Sequence, residues 1–235
     1  MQLVKIVRRL SKAVQGLRFE EPVSHVYNPL EYARQTGEQY LERFAKQGCE
    51  ALFLGMNPGP YGMAQTGVPF GEVQTVREWM GIEGPVKRPK NEHPKRPIQG
   101  FGCQRSEVSG RRLWGWAQKR FPAPEDFFER FFVWNFCPLL FMEQGGRNRT
   151  PDKLPANERE KLYQICDRSL LELTQELAPG RVIGVGKFAE SRAKLALGED
   201  WPIASILHPS PASPAANRGW EAQAEAQLEA LGIRF

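Results

Sequence analysis

Four short apolar segments, separated by stretches with helical periodicity, are the feature of this sequence that most restricts its fold. The segments lie at residues 51–54, 131–134, 181–185 and 203–207. Each is almost continuously apolar and rich in residues that favour strands, which is typical of strands covered on both faces. Such strands, alternating with helices, predict the α/β class, with a short four-stranded parallel sheet in a three-layer α/β/α arrangement.

Helical spacing of apolar residues predicts six helices between and beside these strands. They lie at residues 30–47, 72–81, 109–120, 156–177, 187–197 and 214–231. Ser109 and Asn157 stand where two of these helices begin. Short polar side chains are favoured at helix starts because their oxygens accept from exposed backbone N–H groups. We therefore expect Ser109 and Asn157 at the amino ends of their helices.

The first 19 residues are rich in Arg and Lys and contain no acidic residue. Apolar residues recur at helical spacing from Leu3 to Leu17, and charges interrupt every apolar run, which argues against a signal peptide or a membrane span. The pattern predicts a helix over residues 1–15 that packs on a single domain spanning residues 1–235. An organellar transit peptide is the alternative.

The overall composition is that of a basic folded protein. With 235 residues, 41% of them hydrophobic, the chain can bury a sizeable core, which argues against wholesale disorder. A formal net charge of +5 favours contact with polyanions, because contacts to phosphate release condensed counterions. Many proteins that bind no nucleic acid are equally basic, so charge alone does not decide the function.

The four cysteines do not have the spacing of a metal site. Cys49, Cys103, Cys137 and Cys166 include no CxxC pair, so neither a zinc site nor an iron–sulfur cluster is expected. A domain of this size does not need disulfides. We expect buried or idle thiols, no bound metal and no cofactor.

Polar residues follow three of the predicted strands at the point where each strand ends. The segments after the four strands read GMNPGPYG, NFCPLLF, GKFAES and HPSPAS. Because the carboxyl ends of parallel strands meet at one edge of a sheet, Asn57, Asn135 and His208 are expected to converge there. Taken singly, each asparagine could be a turn or capping residue, and the histidine a surface or core residue.

A long connection rich in Pro, Gly and basic residues spans residues 81–105. Its cations are Lys87, Arg88, Lys90, Lys95 and Arg96. A charge run of this kind is commonly a solvated loop. A loop this long without periodicity is also often functional, and here it could line a nucleic-acid backbone.

Two long segments carry a resemblance to a known family. GMNPGPYGMAQTGVPFGEV (55–73) and HPSPASPAANRGW (208–220) closely resemble the single-strand-selective monofunctional uracil-DNA glycosylases, a branch of the uracil-DNA glycosylase superfamily. Supporting segments are VYNPLEYA (26–33), HPKRPIQG (93–100), SEVSGRRLWG (106–115) and VWNFCPLL (133–140). The resemblance implies a four-stranded parallel sheet between helices. It also implies hydrolysis of the N-glycosidic bond of deoxyuridine in single- and double-stranded DNA, leaving an abasic site.

The resemblance also implies roles for residues at the predicted sheet edge. Asn57 would hold the attacking water, and His208 would donate a hydrogen bond to uracil O2 as charge develops on the leaving base. Asn135 would pair with N3–H and O4 of uracil, an edge that cytosine does not present. Phe70 would stack on the flipped base, and Met56 would contribute backbone contacts. Without the motif around it, Phe70 would be interpreted as a core aromatic.

Gly59 is notable for the side chain it lacks. The uracil-specific family-one relatives carry a bulky Tyr at the corresponding place, which blocks a substituent on C5 of the base. Gly59 is therefore expected to leave room there, and excision of 5-hydroxymethyluracil is predicted. The alternative is that Gly59 serves only the turn, and the two interpretations are compatible.

A further set of residues is expected to contact DNA. The segment from Pro209 to Trp220 would enter the duplex and fill the space of the flipped base. Many relatives carry Arg where this chain has Ala212, so weaker activity on double-stranded DNA is predicted. The residues assigned to DNA contact are Pro209, Ser210, Pro211, Ala212, Asn217, Arg218, His93, Lys95 and Arg96. His25 and His93 are both interpreted as surface or core histidines, with a phosphate contact as the alternative for His93.

Three other functions compete with this one. Another member of the superfamily with a different lesion preference would show clustered cysteines or Asp at position 57. A non-catalytic DNA-binding homologue would be expected to lack Asn57 or His208. A nucleotide-binding enzyme would need a complete phosphate loop, whereas Lys187 in GKFAES suits an ordinary helix start. The favoured prediction is a monomer that binds no membrane. It would lie with the nucleoid in bacterial cytoplasm, or in the nucleus of a eukaryote.

Overall fold

The structure, a computed structural model that describes residues 2–235, consists of two sheets surrounded by helices. The strands are β1 (Val23–Tyr27), β2 (Ala51–Gly55), β3 (Phe131–Asn135), β4 (Leu140–Glu143), β5 (Asn148–Arg149), β6 (Val182–Val185) and β7 (Ile203–Ile206). The helices are α1 (Gln2–Gln15), α2 (Pro29–Tyr32), α3 (Arg34–Phe44), α4 (Met63–Thr66), α5 (Val73–Glu78), α6 (Val108–Arg120), α7 (Pro124–Arg130), α8 (Ala156–Leu177), α9 (Lys187–Leu197), α10 (Pro214–Asn217) and α11 (Trp220–Ala230).

The larger sheet is parallel, with strand order β3-β2-β6-β7. Its strands coincide with the four apolar segments, and every residue of β2 and β3 is buried, as expected for strands covered on both faces. On the helical layers, α8 packs against α1 and α9, while α6 packs against α5 and α11. The predicted class, a three-layer α/β/α fold around a four-stranded parallel sheet, is confirmed.

The smaller sheet goes beyond the prediction. It is antiparallel, with order β1-β4-β5, and β1 pairs with β4 through the residues Tyr27 and Leu140. These strands are short, and more than one hundred residues separate β1 from β4 along the chain. Because β4 follows β3 after only four residues, its apolar residues look like a continuation of the strand-end segment. No local pattern therefore indicates this pairing.

Each predicted helical segment contains a helix, with differences at ends and breaks, whereas α4 and α7 lie outside the predicted segments. The segment 214–231 divides into α10 and α11, since Gly219 between them adopts the left-handed conformation, with φ +100°. Glu107 and Pro155 occupy the N-cap positions of α6 and α8, so the expected Ser109 and Asn157 each lie two residues after the cap.

Helix α1 places its apolar face against the rest of the protein. Its buried residues Leu3, Ile6, Leu10 and Val14 belong to the same core cluster as the residues of the parallel sheet. Met1, which the predicted helix included, lies outside the described residues. The single domain over 1–235 stays a prediction, and this shared core supports it. Among residues 2–235, no helix has both the length and the apolar content needed to cross a membrane.

The edge strand β3 is shielded by aromatic side chains. Phe44 stacks on Phe128 with ring centroids 4.1 Å apart, and Tyr40 stacks on Phe132 at 5.1 Å. The hydroxyl of Tyr40 donates to the carbonyl oxygen of Val133 at 2.9 Å. This packing covers the outer strand and fixes the position of its last residue, which faces the candidate site.

Candidate active site

The carboxyl ends of β2 and β3 are joined beyond the strands themselves. Gly55 pairs with Asn135 in register, and the backbone N–H of Phe136 donates to the carbonyl oxygen of Gly55 at 2.9 Å. The next N–H, of Cys137, donates to the carbonyl oxygen of Met56 at 2.9 Å. The two polar segments that follow these strands therefore leave the sheet side by side, as the strand-end argument predicted.

Asn135 is buried with one of its polar atoms unsatisfied. The residue is 3% exposed, its Nδ2 lies 3.2 Å from Sδ of Met63, and its Oδ1 has no hydrogen-bond partner among residues 2–235. A Cβ on Gly55 would lie 2.3 Å from this Oδ1, so glycine is required beside it. Leaving a buried acceptor unpaired costs roughly 1–3 kcal/mol, which a donor on a ligand would recover.

Phe70 forms the adjoining wall of the site. It is buried, and its φ of +53° lies in the left-handed region, which is uncommon for a residue with a side chain. Cε2 of its ring would lie 2.6 Å from a Cβ added to Gly55, so the ring and Oδ1 of Asn135 both border Gly55. Gly110 of α6 allows the helix to approach closely, since a Cβ there would lie 2.1 Å from the carbonyl oxygen of Phe70. The packing imposes this backbone conformation.

His208 lies next to Phe70, with ring centroids 6.0 Å apart. Burial lowers the pKa of His208 to about 4, so its imidazole is neutral at physiological pH and carries one N–H donor. Gly186 lies behind it with φ +94°, and a Cβ there would be 3.1 Å from Cβ of His208. The glycine at the start of GKFAES therefore makes room for the histidine, a function that the sequence did not suggest.

Asn57 is oriented by the segment that follows β3. Its Nδ2 donates to the carbonyl oxygen of Leu139 at 3.1 Å, and the side chain is half-buried. Because the amide nitrogen is used in this way, Oδ1 is the atom available to a ligand or water. The structure thus brings Asn135, Phe70 and His208 together and ties Asn57 to the segment that carries Asn135.

The space predicted beside Gly59 is already filled. A Cβ on Gly59 would lie 2.4 Å from Oε2 of Glu107, and a Cβ on Gly62 would lie 2.1 Å from the same atom. The expectation that Gly59 opens a free space is corrected: the glycine accommodates a carboxyl group. Burial, with the nearby Glu72 carboxylate as a smaller cause, raises the pKa of Glu107 to about 7. Its Oε2 is buried and unpaired within the described chain.

His93 is not where a DNA contact requires it. The residue is completely buried, its Nε2 faces the carbonyl oxygen of Glu143 at 3.2 Å, and its Nδ1 accepts from the backbone N–H of Lys95 at 3.0 Å. The ring also contacts His25, with centroids 4.6 Å apart. The prediction that His93 contacts DNA is therefore wrong. The histidine holds the basic loop in shape, while Lys95 remains exposed and Arg96 half-buried.

The segment after His208 forms a surface loop fixed by Arg112 of α6. The guanidinium donates to the carbonyl oxygens of Pro209 and Ser210 and to Oδ1 of Asn217. Pro209 is buried under this loop, contrary to the prediction that it contacts DNA. Of the residues predicted to contact DNA, the loop exposes Pro211, Ala212, Asn217 and Arg218, with Ser210 half-buried.

Other predicted features concern thiols and charges. All four cysteines are free and buried, which confirms their interpretation as buried thiols. Within residues 2–235, no group of His, Cys, Asp and Glu side chains has an arrangement suited to a metal ion. Lys187 lies at the start of α9 and contacts Glu190 and Ser205, in agreement with an ordinary helix start.

A parallel sheet whose carboxyl edge gathers a buried amide, an aromatic ring and a neutral histidine defines an α/β protein whose strand ends offer a stacking surface and hydrogen-bonding groups to a planar polar ligand. Comparison with known proteins gives the family. The model of the uracil DNA glycosylase superfamily matches residues 43–230. Over 228 residues, the chain is 50% identical to single-strand selective monofunctional uracil DNA glycosylases of Mus musculus and Bos taurus. These matches cover 96% of this chain and 82% and 84% of the relatives. The chain therefore belongs to the single-strand selective monofunctional branch of the uracil DNA glycosylase superfamily.

A solved structure agrees with the fold. The crystal structure of wild-type SMUG2 of Pedobacter heparinus matches with a TM-score of 0.66 over 98% of both chains. The sequence identity is 18%, so this likeness concerns the architecture alone.

Sequence reasoning missed several polar residues that build the site. Arg112 and Glu107 lie in SEVSGRRLWG, which supported the family resemblance but suggested no role for either residue. Gln65 is 1% exposed, and its Nε2 donates to the carbonyl oxygens of Pro60 and Pro97, which ties the GMNPGPYG turn to the basic loop. Each of these contacts joins distant segments, and no spacing rule reveals them.

Proposed function

We propose that this chain is a monofunctional uracil-DNA glycosylase of base excision repair, in which Asn57, Phe70, Asn135 and His208 form the pocket. The enzyme hydrolyses the N-glycosidic bond of deoxyuridine and leaves an abasic site. The observation that carries the proposal is the unpaired, buried Oδ1 of Asn135 beside the ring of Phe70. A flat ligand with an N–H at its edge satisfies both groups at once.

Asn135 reads the base in this proposal. Its Oδ1 accepts from uracil N3–H, and its Nδ2 exchanges the weak acceptor Sδ of Met63 for uracil O4. Cytosine presents an acceptor at N3 and a donor at its exocyclic amine, so both contacts would be mismatched. Sites built on such hydrogen bonds discriminate strongly, because the wrong edge leaves buried groups unpaired.

Phe70 and Met56 hold the plane of the base. The Phe70 ring offers a stacking surface, and its left-handed backbone is held by packing before any ligand arrives. Met56 contributes backbone contacts, although its carbonyl oxygen already accepts from Cys137. A surface formed in advance lowers the entropy that binding must overcome.

His208 stabilises the departing base without transferring a proton. Its low pKa keeps the imidazole neutral, so it donates an N–H hydrogen bond to O2 as negative charge develops there. A fixed donor in a buried site stabilises such charge more than water does. The base then leaves as an anion, because the imidazolium form of His208 that could protonate it is absent at neutral pH.

Asn57 positions the attacking water in this proposal. An amide is a poor base, but glycosidic cleavage passes through an oxocarbenium-like sugar that needs a placed water more than an activated one. The bond from Nδ2 to Leu139 directs Oδ1 toward that water. Positioning of this kind accounts for large rate effects because small displacements lower the rate steeply.

Contacts to DNA complete the proposal. The loop exposing Pro211, Ala212, Asn217 and Arg218 enters the duplex when a base is extruded, and Lys95 and Arg96 contact phosphates. Excision of 5-hydroxymethyluracil is part of the proposal and rests on the resemblance of GMNPGPYG to the family motif, since Glu107 fills the space beside Gly59. We also propose that the protein acts as a monomer where genomic DNA lies, in the bacterial cytoplasm or a eukaryotic nucleus.

One assay tests the central activity. Purified protein is incubated with single-stranded DNA bearing one uracil, and alkali then cleaves the strand wherever an abasic site has formed. We expect cleavage by the wild type that EDTA does not inhibit, and a fall of at least about 100-fold in rate for Asn57→Ala. An unreactive wild type would overturn the proposed function, and an Asn57→Ala variant of full activity would overturn the role of Asn57.

A further inference from the structure

Two guanidinium groups gather around the ring of Tyr61, beside the candidate site. Cζ of Arg105 lies 4.1 Å from the ring centroid, and Cζ of Arg96 lies 5.5 Å from it. Nη1 of Arg96 also donates to the Tyr61 hydroxyl at 2.6 Å. We call these three side chains the Tyr61 cluster. It was not apparent from the sequence, where its members lie up to 44 residues apart.

The cations of this cluster lack a counterion in the part of the chain that the structure describes. Among residues 2–235, no carboxylate lies within salt-bridge distance of Arg96, Arg105 or the neighbouring Lys95. Several other exposed arginines are paired: Arg8 and Arg120, for example, each contact a glutamate. Like charges held near one another repel, and a bound anion removes that repulsion.

The cluster is fixed to the turn that carries Asn57. Tyr61 follows Asn57 by four residues, and buried Gln65 joins this turn to the loop that carries Arg96. On the other side, the carboxyl of Glu107 packs against the glycines of the same turn, which places the preceding Arg105 over the ring. The guanidiniums therefore keep a set position relative to the base pocket.

We propose that the Tyr61 cluster is a binding site for a DNA backbone phosphate flanking the extruded nucleotide. The inference rests on the proposed function and adds Tyr61 and Arg105 to its binding surface. A guanidinium presents paired N–H donors that match phosphate oxygens. A stacked base is the less suitable occupant, because Arg105 already covers the Tyr61 ring. Contact to the backbone makes this site independent of sequence and common to single- and double-stranded substrates.

The test measures how binding of DNA depends on salt. A uracil-free single-stranded oligonucleotide is titrated with wild type, Arg105→Ala and Arg96→Ala over a range of chloride concentrations. Removing one cation that neutralises a phosphate of a single strand reduces the slope of log affinity against log salt by roughly 0.7. We expect that change for Arg105→Ala, together with a rise in KM for uracil excision that matches the weaker binding and little change in kcat. Arg105→Lys should retain the slope but bind more weakly.

Arg111→Ala is the matched control. Arg111 is exposed on the helix that follows Arg105, and its guanidinium donates to the hydroxyl of Ser106 instead of covering the Tyr61 ring, so its removal subtracts the same charge outside the cluster. An equal effect of both variants, or an unchanged slope for Arg105→Ala, would overturn the proposal. Because Arg96 is half-buried, its variant is compared only if its Tm matches the wild type.

Two further arms separate the possible outcomes. Inorganic phosphate, added at constant ionic strength, should compete only weakly with the oligonucleotide. If phosphate strongly displaces the oligonucleotide from the wild type but not from Arg105→Ala, the cluster is a site for the free ion, and the DNA assignment is overturned. Uracil excision by the wild type is measured separately, so failure of the phosphate site leaves the proposed glycosylase activity intact.

Discussion

The guanidinium of Arg112 joins helix α6 to the loop after His208, donating from Nη1 to the carbonyl oxygen of Pro209 at 3.1 Å. The same group reaches the far end of the loop through Oδ1 of Asn217 at 2.9 Å. One side chain therefore closes the loop at both ends. Its charge-assisted bonds hold in place the segment that is proposed to enter the duplex.

Removal of Arg112 is predicted to impair double-stranded DNA selectively. In Arg112→Ala the loop has no clamp, so it fills the gap in the base stack less well. A single-stranded substrate needs no such filling, because its bases are already unstacked. We expect single-turnover excision from duplex DNA to fall about tenfold, the equivalent of ~1.4 kcal/mol, and excision from single strands to change far less. Arg111→Ala serves as the control, and an equal fall on both substrates would contradict the loop's role.

Enlarging the loop tip is predicted to have the opposite effect. Ala212 is exposed and small, and Ala212→Arg supplies a side chain long enough to occupy the space of the flipped base. The ratio of duplex to single-strand excision should rise severalfold. Ala230→Arg adds the same charge at an exposed position at the end of α11, which separates filling of the stack from general attraction to DNA. A ratio that stays at the wild-type value would refute the hypothesis that Ala212 limits activity on duplexes.

The contrast between the two sheets shows what could be predicted from the sequence. Each strand of the parallel sheet is a local apolar run, and β2, β3 and β6 are buried throughout, so composition alone identifies these strands. The strands β1 and β4 owe their structure to each other, and only their pairing across more than one hundred residues makes them strands. Local patterns therefore predicted the layer that carries the site and missed the sheet beside it.

The site divides in the same way. Asn57, Asn135 and His208 were predicted because strand ends of a parallel sheet meet at one edge. Glu107, Arg112 and Gln65 act through contacts with segments far along the chain, and nothing in their local sequence signals those contacts. The prediction for His93 is wrong for a related reason, because burial under a basic loop cannot be read from the charge of its neighbours.

The buried carboxyl of Glu107 should make stability depend on pH. Its pKa is about 7 in the folded protein against 4.5 ordinarily, so the folded state holds the proton more tightly. The contribution of protonated Glu107 to the free energy of unfolding is therefore fully present below pH 4.5. It is lost as the pH rises through 7, which lowers that free energy by at most about 3 kcal/mol. Glu107→Gln cannot ionise, and we expect its Tm to exceed that of the wild type at pH 8 more than at pH 5. Glu78→Gln, at an exposed position, is the control. A pH-independent difference would show that ionisation of Glu107 is not involved.

His208 gives a second pH prediction of the opposite sign. Its pKa of about 4 lies below the usual 6.5, so the unfolded chain takes up the proton more readily. His208 therefore reduces stability as the pH falls from 6.5 toward 4. Its ring should stay neutral at pH 6, which NMR titration can observe, since the chain has three histidines and a His208→Gln variant assigns the signal. A midpoint near 6.5 would contradict a donor that is neutral throughout this pH range.

A substitution at Gly59 tests two explanations of why the enzyme would accept both uracil and 5-hydroxymethyluracil. If the glycine leaves room for a C5 substituent, Gly59→Ala should lose 5-hydroxymethyluracil and keep uracil. The distance of 2.4 Å to Oε2 of Glu107 predicts a different result, in which the added methyl group displaces the carboxyl or the turn that carries Asn57. We expect both bases to be excised more slowly, by a similar factor, while wild type processes both.

The double variant Gly59→Ala with Glu107→Ala decides between these explanations. Deleting the carboxyl removes the atoms that the new methyl group meets, so excision of uracil should recover at least in part. Glu107→Ala alone provides the reference, because it leaves a cavity without the added methyl. Two oligonucleotides, one with uracil and one with 5-hydroxymethyluracil, are assayed side by side for all four proteins. Selective loss of 5-hydroxymethyluracil in Gly59→Ala, with no recovery in the double variant, would restore the explanation that the glycine exists to admit the substituent.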